Sequence, residues 1–282
     1  MRRVGRSAHG NLDPLGTVLL TAGLVAVLFG IIEGTTYGWT SAPVLGAFSA
    51  GAVLTALFTA HALRSPRPLF APGSSPPPRL RSASLGTAAG FFGLFSLFFV
   101  NSQYLQGIKG CAAVTGVAIM PLTIGMALVP RLAARWSGRP RAVVGAGLAL
   151  IDVGLLGAST VDAATPYRAY ACRLLDISAG TGLSMPALTL RVVDSLPPHQ
   201  AGLGSGLGTT ARETGAALGG AVTGTIPGGH GDLASGMGPA LRTAALLVLA
   251  ATALVVAGHG GRTPTRTIAS DPQRVLSRPT DV

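Results

Sequence analysis

The stretch GTVLLTAGLVAVLFGIIE, Gly16–Glu33, holds no charged residue before its last position. Eighteen residues of this kind are close to the roughly 20 that a helix needs to cross the hydrocarbon core of a bilayer. Seven more stretches read the same way: Pro43–Leu63, Leu85–Tyr104, Ala113–Pro130, Ala142–Val161, Ala169–Leu190, Gly202–Ile226 and Pro239–Gly258. Apolar residues run all round each helix, so these are spans rather than amphipathic surface helices. Strands are not expected, because open sheet edges go unsatisfied in lipid. The expected fold is therefore an all-α integral membrane protein with about eight transmembrane helices.

Composition agrees. Charged residues are 11% of the 282, against roughly 25% in a soluble domain. Hydrophobic residues make up 48%, with 40 glycines besides. The net charge of +11 raises the question of nucleic acid. However, the 20 arginines and one lysine sit mostly in short gaps between apolar runs, with no basic helix face or aromatic-interleaved patch. A lipid bilayer is the expected partner and nucleic acid is not. Met1 to Gly16 is polar and lacks the pattern of a signal peptide.

The basic residues also give an orientation. With the N-terminus placed in the cytoplasm, 16 arginines fall in inner segments: Arg2, Arg3, Arg6, Arg64, Arg67, Arg79, Arg81, Arg131, Arg135, Arg139, Arg141, Arg191, Arg262, Arg266, Arg274 and Arg278. Only Lys109, Arg168 and Arg242 fall outside, while Arg173 and Arg212 lie within spans. The positive-inside bias acts on short loops such as these, so both termini are expected in the cytoplasm of a multi-pass cell-membrane protein. The chain divides into a cytoplasmic segment 1–15, a two-helix pair 16–64, a Pro/Arg-rich inner linker 65–84, a six-helix bundle 85–260 and a basic tail 261–282. The linker contains Ser74-Ser75-Pro76-Pro77-Pro78.

Several motifs resemble one family in order and spacing. Asn11-Leu12-Asp13-Pro14-Leu15-Gly16, Glu33 and Tyr37-Gly38-Trp39-Thr40 resemble the central helix pair of fourteen-span drug:proton antiporters of the EmrB/QacA type. Tyr104-Leu105-Gln106 and Met120-Pro121-Leu122 with Gly125 are similar to the next two helices. Pro130-Arg131-Leu132-Ala133-Ala134-Arg135-Trp136 with Gly138-Arg139-Pro140-Arg141 resembles the inner-loop motif of the major facilitator superfamily. Ala201-Gly202-Leu203, Thr210-Ala211-Arg212 and Gly215-Ala216-Ala217-Leu218-Gly219 resemble the penultimate helix. The resemblance covers about residues 11 to 258 and starts after the family's sixth helix. It implies the C-terminal six-helix half of a major facilitator fold, preceded by the central pair. It also implies proton-driven export of amphiphilic drugs or secondary metabolites, with a separately encoded N-terminal six-helix half as a candidate partner. The rival expectation is a truncated, non-transporting remnant or partner subunit.

The candidate site residues follow. Arg131, Arg135, Gly138, Arg139 and Arg141 match the superfamily's inner gate loop, although Ala134 stands where the motif carries an acid. The same arginines also suit positive-inside topology alone. Ionisable groups within spans are costly and face the bundle interior or water. Asp152 lies mid-span and has no opposite charge three or four residues away, so it must be protonated or paired from another span; Arg212 is the expected partner. Arg173 and Asp176 share a helix face and can form a structural ion pair or take part in proton coupling. Arg212 and Glu213 sit mid-span on adjacent faces. Gly215 and Gly219, four apart, suit close helix packing, and Pro121 marks the proline-bearing helix.

No enzyme, cofactor or metal is expected. The histidines are scattered, and Gly204-Ser205-Gly206 lacks the strand–turn–helix context of a nucleophile elbow. No phosphate-binding loop indicates an ATP-driven pump. Cys111 and Cys172 are too few for a disulfide framework and read as buried, inert small residues.

Overall fold

A computed structural model describes residues 14–64, 77–103, 115–133, 140–161, 165–196, 201–228 and 233–258. Every regular element among them is a helix: α1 (Pro14–Tyr37), α2 (Ala42–Arg64), α3 (Pro78–Gln103), α4 (Thr115–Ala118), α5 (Met120–Ala133), α6 (Pro140–Ala158), α7 (Tyr167–Asp194), α8 (Ala201–Gly228) and α9 (Leu233–Gly258). Each expected span overlaps one of these. Five are long and apolar enough to cross a membrane: α1, α2, α3, α6 and α9. The protein is an all-α, multi-pass membrane protein.

The other three expected spans depart from that standard for separate reasons. The span expected at Ala113–Pro130 is divided at Ile119 into α4 and α5. Pro121 has no N–H to give the preceding turn, and the backbone amides of Leu122 and Thr123 turn back to the Ile119 carbonyl instead. Helices α7 and α8 run 28 residues each but carry Arg173 and Asp176, and Arg212 and Glu213.

One boundary needs correction. The linker expected over 65–84 ends earlier, since α3 begins at Pro78 and residues 78–84 are its first two turns. Proline is suited to the first helical position, where its fixed φ is helical and its missing N–H has no intrahelical acceptor.

Helices α1 and α2 form a hairpin around Gly38, whose φ of 86° permits the reversal and whose carbonyl accepts the Ser41 amide. The buried residues of α1 are all glycines, at 16, 23, 30 and 34, and through them it meets Thr55, Phe48 and Trp39. Many large apolar side chains of the pair, among them Val18, Val25, Phe29, Leu45 and Leu57, point outward, while Val44 is buried. Lipid is the natural environment for such a surface.

The remaining helices enclose one core. Helix α3 packs against α8, α9 and α7, and α6 packs against α7 and α9, while α5 lies on α7 and α1 reaches α8. Leu97, Leu148, Ile151, Leu155, Leu174, Ile177 and Leu188 form the centre of that core. The contacts between helices are close because small residues meet across them. A Cβ at Gly147 would stand 2.8 Å from the Ser184 amide nitrogen, and one at Gly180 would stand 2.5 Å from the Gly147 carbonyl oxygen.

Candidate functional site

Asp152 points from α6 into the core and is only 4% exposed. Its neighbour is Thr252 of α9, whose hydroxyl lies 3.4 Å from Asp152 Oδ2. The same hydroxyl donates to the Val248 carbonyl at 2.8 Å. It has one hydrogen, so the shorter bond holds most of it and the carboxyl group receives little. Asp152 Oδ1 has no hydrogen-bond partner among the described residues. No cation approaches either oxygen among the described residues.

This corrects the expected pairing of Asp152 with Arg212. Arg212 bonds its neighbour instead, with Nη2 3.1 Å from Glu213 Oε1, and it also lies over the Phe91 ring at 5.7 Å. The two side chains are 46% and 63% exposed. The physical reason is the helix arrangement. Helix α8 spends its packing face on α3, while Asp152 faces α9. Neutralising Glu213 next to it on the same helix needs no second span.

Arg173 and Asp176 pair along α7, Nη1 to Oδ2, at 3.3 Å. The Arg173 stem lies against Gly157 of α6, so the pair sits beside the α6–α7 contact without reaching Asp152. Asp152, the Arg173–Asp176 pair and the Arg212–Glu213 pair are thus separate: one buried acid and two half-exposed pairs. Cys172, expected to be buried, is exposed on α7.

Gly215 and Gly219 lie directly on the backbone of α3. A side chain at Gly215 would collide with the Ala88 carbonyl, and one at Gly219 with the Phe92 carbonyl. Beside them Ser96 donates to the Gly219 carbonyl at 3.2 Å. Arg131 occupies the last turn of α5 and Arg141 the first turn of α6, both exposed. Arg135, Gly138 and Arg139 lie outside the described residues.

Three polar ties were not anticipated. The Tyr170 hydroxyl donates to Asn101 Oδ1 at 2.6 Å, fully buried between α7 and α3. Ser178 of α7 donates to the Leu122 carbonyl of α5, and Tyr167 to the Ala118 carbonyl of α4 at 2.9 Å. In the last two the accepting carbonyls, of Leu122 and Ala118, lie beside the α4–α5 break. An uncharged polar residue inside an apolar span, such as Asn101, is the sequence signal that could have found them.

At the opposite end from Arg242, Arg191 closes α7 one residue beyond its expected span, with its Nη1 buried and unpartnered among the described residues. Burial, then the nearby Arg141 and Arg79 guanidinium groups, lower its affinity for its proton.

Ionisable groups inside membrane helices are costly, which makes Asp152 and the two ion pairs the candidate functional groups among the described residues. Known proteins similar to this chain are named for resistance or export. The chain is 34% identical over 241 residues to the puromycin resistance protein pur8 of Streptomyces alboniger, covering 81% of this chain and 46% of that protein. It is 31% identical over 263 residues to the cephamycin export protein CmcT of Amycolatopsis lactamdurans, covering 86% and 52%. It is 29% identical over 227 residues to the multidrug resistance protein Stp of Mycobacterium tuberculosis, covering 77% and 41%. The chain spans about half the length of the curated relatives it matches. No family model matches the chain.

Proposed function

We propose that this chain is the C-terminal part of a proton-driven exporter of amphiphilic drugs or secondary metabolites, of the fourteen-span drug:proton antiporter type in the major facilitator superfamily. The observation that carries the reading is similarity over 86% of the chain to a relative named as an export protein. In this reading the pair over 16–64 is the central hairpin, and 85–260 is one of the two six-helix halves between which substrate passes. Asp152 carries the coupling proton. The pairs Arg173–Asp176 and Arg212–Glu213 line the path or brace it, and Arg131 to Arg141 belong to the inner gate. The chain acts as a transporter rather than an enzyme, without metal or cofactor, in the cell membrane with both termini cytoplasmic.

The second reading is that of a non-transporting remnant or of a partner to a separately encoded half. One experiment separates them. The chain is expressed with a six-span N-terminal half, fused or co-expressed, and export of a fluorescent amphiphile is followed in vesicles with an imposed pH gradient. Gradient-dependent export supports the transporter reading, and its absence from a well-folded pair favours the remnant. Orientation has its own test, on positions outside the described residues. A cysteine placed at Gly229 should react with an impermeant reagent in sealed cells, and one at Ser75 should not.

A further inference from the structure

Thr252 stands beside the buried acid in an arrangement with two settings. Its hydroxyl donates to the Val248 carbonyl at 2.8 Å, one turn back along α9, and lies 3.4 Å from Asp152 Oδ2. A helical threonine often back-bonds in this way to the carbonyl four residues earlier. That carbonyl is also the helical acceptor of residue 252's own amide, so it stays satisfied when the hydroxyl hydrogen turns away. The oxygen can stay in place, because a hydroxyl hydrogen rotates to suit its partners.

Other hydroxyls near α6 are committed elsewhere. On α7, Ser184 donates to the Gly180 carbonyl at 2.7 Å, Thr181 to the Ile177 carbonyl at 2.8 Å, and Ser178 to the Leu122 carbonyl. The titratable groups of the packed helices lie at other heights or on other faces. At 1.5 Å per residue, Arg141 is roughly 16 Å from Asp152 along α6, and Arg242 roughly 15 Å from Thr252 along α9. Arg79 and Arg81 are in the first turn of α3, whereas Gly93 of that helix is the residue level with Ile151. On α7, Arg173 and Asp176 hold each other, Arg168 and Cys172 are exposed, and Arg191 and Asp194 close the helix. The Tyr170 hydroxyl is held by Asn101. Asp152 therefore has one hydrogen-bonding neighbour among the described residues, and that neighbour can both donate and accept.

The two protonation states of the acid call for the two settings. With the carboxyl group neutral, its own hydrogen points to the Thr252 oxygen and the Thr252 hydrogen stays on Val248. With the carboxyl group ionised, an anion 4% exposed needs a donor, and the Thr252 hydrogen is the one at hand. A bond to a carboxylate is shorter and stronger than a neutral one, so the two side chains then close up from 3.4 Å.

We infer that Thr252 is a positioning residue for the coupling acid. Its hydroxyl hydrogen turns from the Val248 carbonyl to Asp152 as the acid releases its proton to water, and turns back as the proton returns. The step rests on the reading of Asp152 as the carrier of the coupling proton. Only the O–H bond of the carboxyl group breaks and re-forms, and Thr252 keeps its own hydrogen throughout.

The test uses the full chain in lipid vesicles, with the infrared carbonyl stretch of a protonated carboxyl group as the readout. The Asp152 contribution is the band lost in Asp152→Asn. In Thr252→Val the ionised form loses its donor, so the band should persist to higher pH than in the parent. The shift should be about one pH unit or more, a tenfold change in proton binding, the scale of one hydrogen bond to a charged group. Thr252→Ser keeps a hydroxyl and should restore the parent titration. Thr243→Val removes a similar back-bond on the same helix, to the Pro239 carbonyl, and should leave the titration unchanged. A band that titrates alike in Thr252→Val and the parent would overturn the role of Thr252 and leave Asp152 a proton carrier. A band that does not titrate in the parent would overturn Asp152 as the carrier, and the role of Thr252 with it. If Thr252→Val fails to fold, Thr252→Ala makes the same comparison.

Discussion

Where α8 crosses α3, backbone meets backbone; where α6 meets α9, a carboxyl group and a hydroxyl fill the space. At the first contact Gly215 and Gly219 lie on the carbonyls of Ala88 and Phe92, and nothing larger than hydrogen fits. At the second, Asp152 shares one hydrogen of Thr252 with the Val248 carbonyl and has no other partner among the described residues. The first contact is optimised for packing. The second keeps an acid where an apolar residue of the same size would pack at lower cost. A fold alone explains the glycines. It does not explain Asp152, and that difference directs attention to the acid as the functional group.

The largest effect should come from breaking the first contact. Gly215→Leu or Gly219→Leu forces the two backbones apart, beyond the roughly 1–3 kcal/mol of ordinary overpacking. Folded yield in detergent should fall sharply for each. An unchanged unfolding profile for both would mean that α8 does not need α3 so close.

A smaller loss is expected at the tie between α3 and α7. Tyr170→Phe removes the donor to Asn101 Oδ1 and leaves a buried acceptor unsatisfied, at a cost of about 1–3 kcal/mol. Double substitution with Asn101→Leu should recover part of that loss. No recovery would show that the two side chains act independently.

The smallest effect belongs to the half-exposed pairs. On the reading that these pairs line a water-filled path, Arg212→Gln and Arg173→Gln should each change stability by less than about 1 kcal/mol, since ion pairs exposed to water contribute little. A loss as large as that of Tyr170→Phe would make these pairs structural and weaken the contrast with Asp152.

The apolar spans were legible because length and charge exclusion are properties of the chain itself. Helices α1, α2, α3, α6 and α9 all follow from them. Arg173 with Asp176 was legible too, because residues three apart on a helix are neighbours whatever the fold. The break at Ile119 was only half legible: Pro121 was visible, but the use of its missing N–H depends on where the chain enters the helix. Least legible was the environment of Asp152. Thr252 is 100 residues away in sequence, and nothing in α6 names it. Arg212 was expected there from its similar depth and from the resemblance to the antiporter family, yet neither fixes the direction in which a helix face points.

The most direct test of the account is Asp152→Asn, made in this chain joined to a six-span N-terminal half. Asparagine keeps the shape and the contact to Thr252 but cannot take up and release a proton. In vesicles with an imposed pH gradient, substrate binding should be retained and proton-driven export should fall by roughly 100-fold or more, the scale of losing a proton-transfer group. Export by the Asn variant at the rate of the parent would contradict the account and leave Asp152 a structural residue.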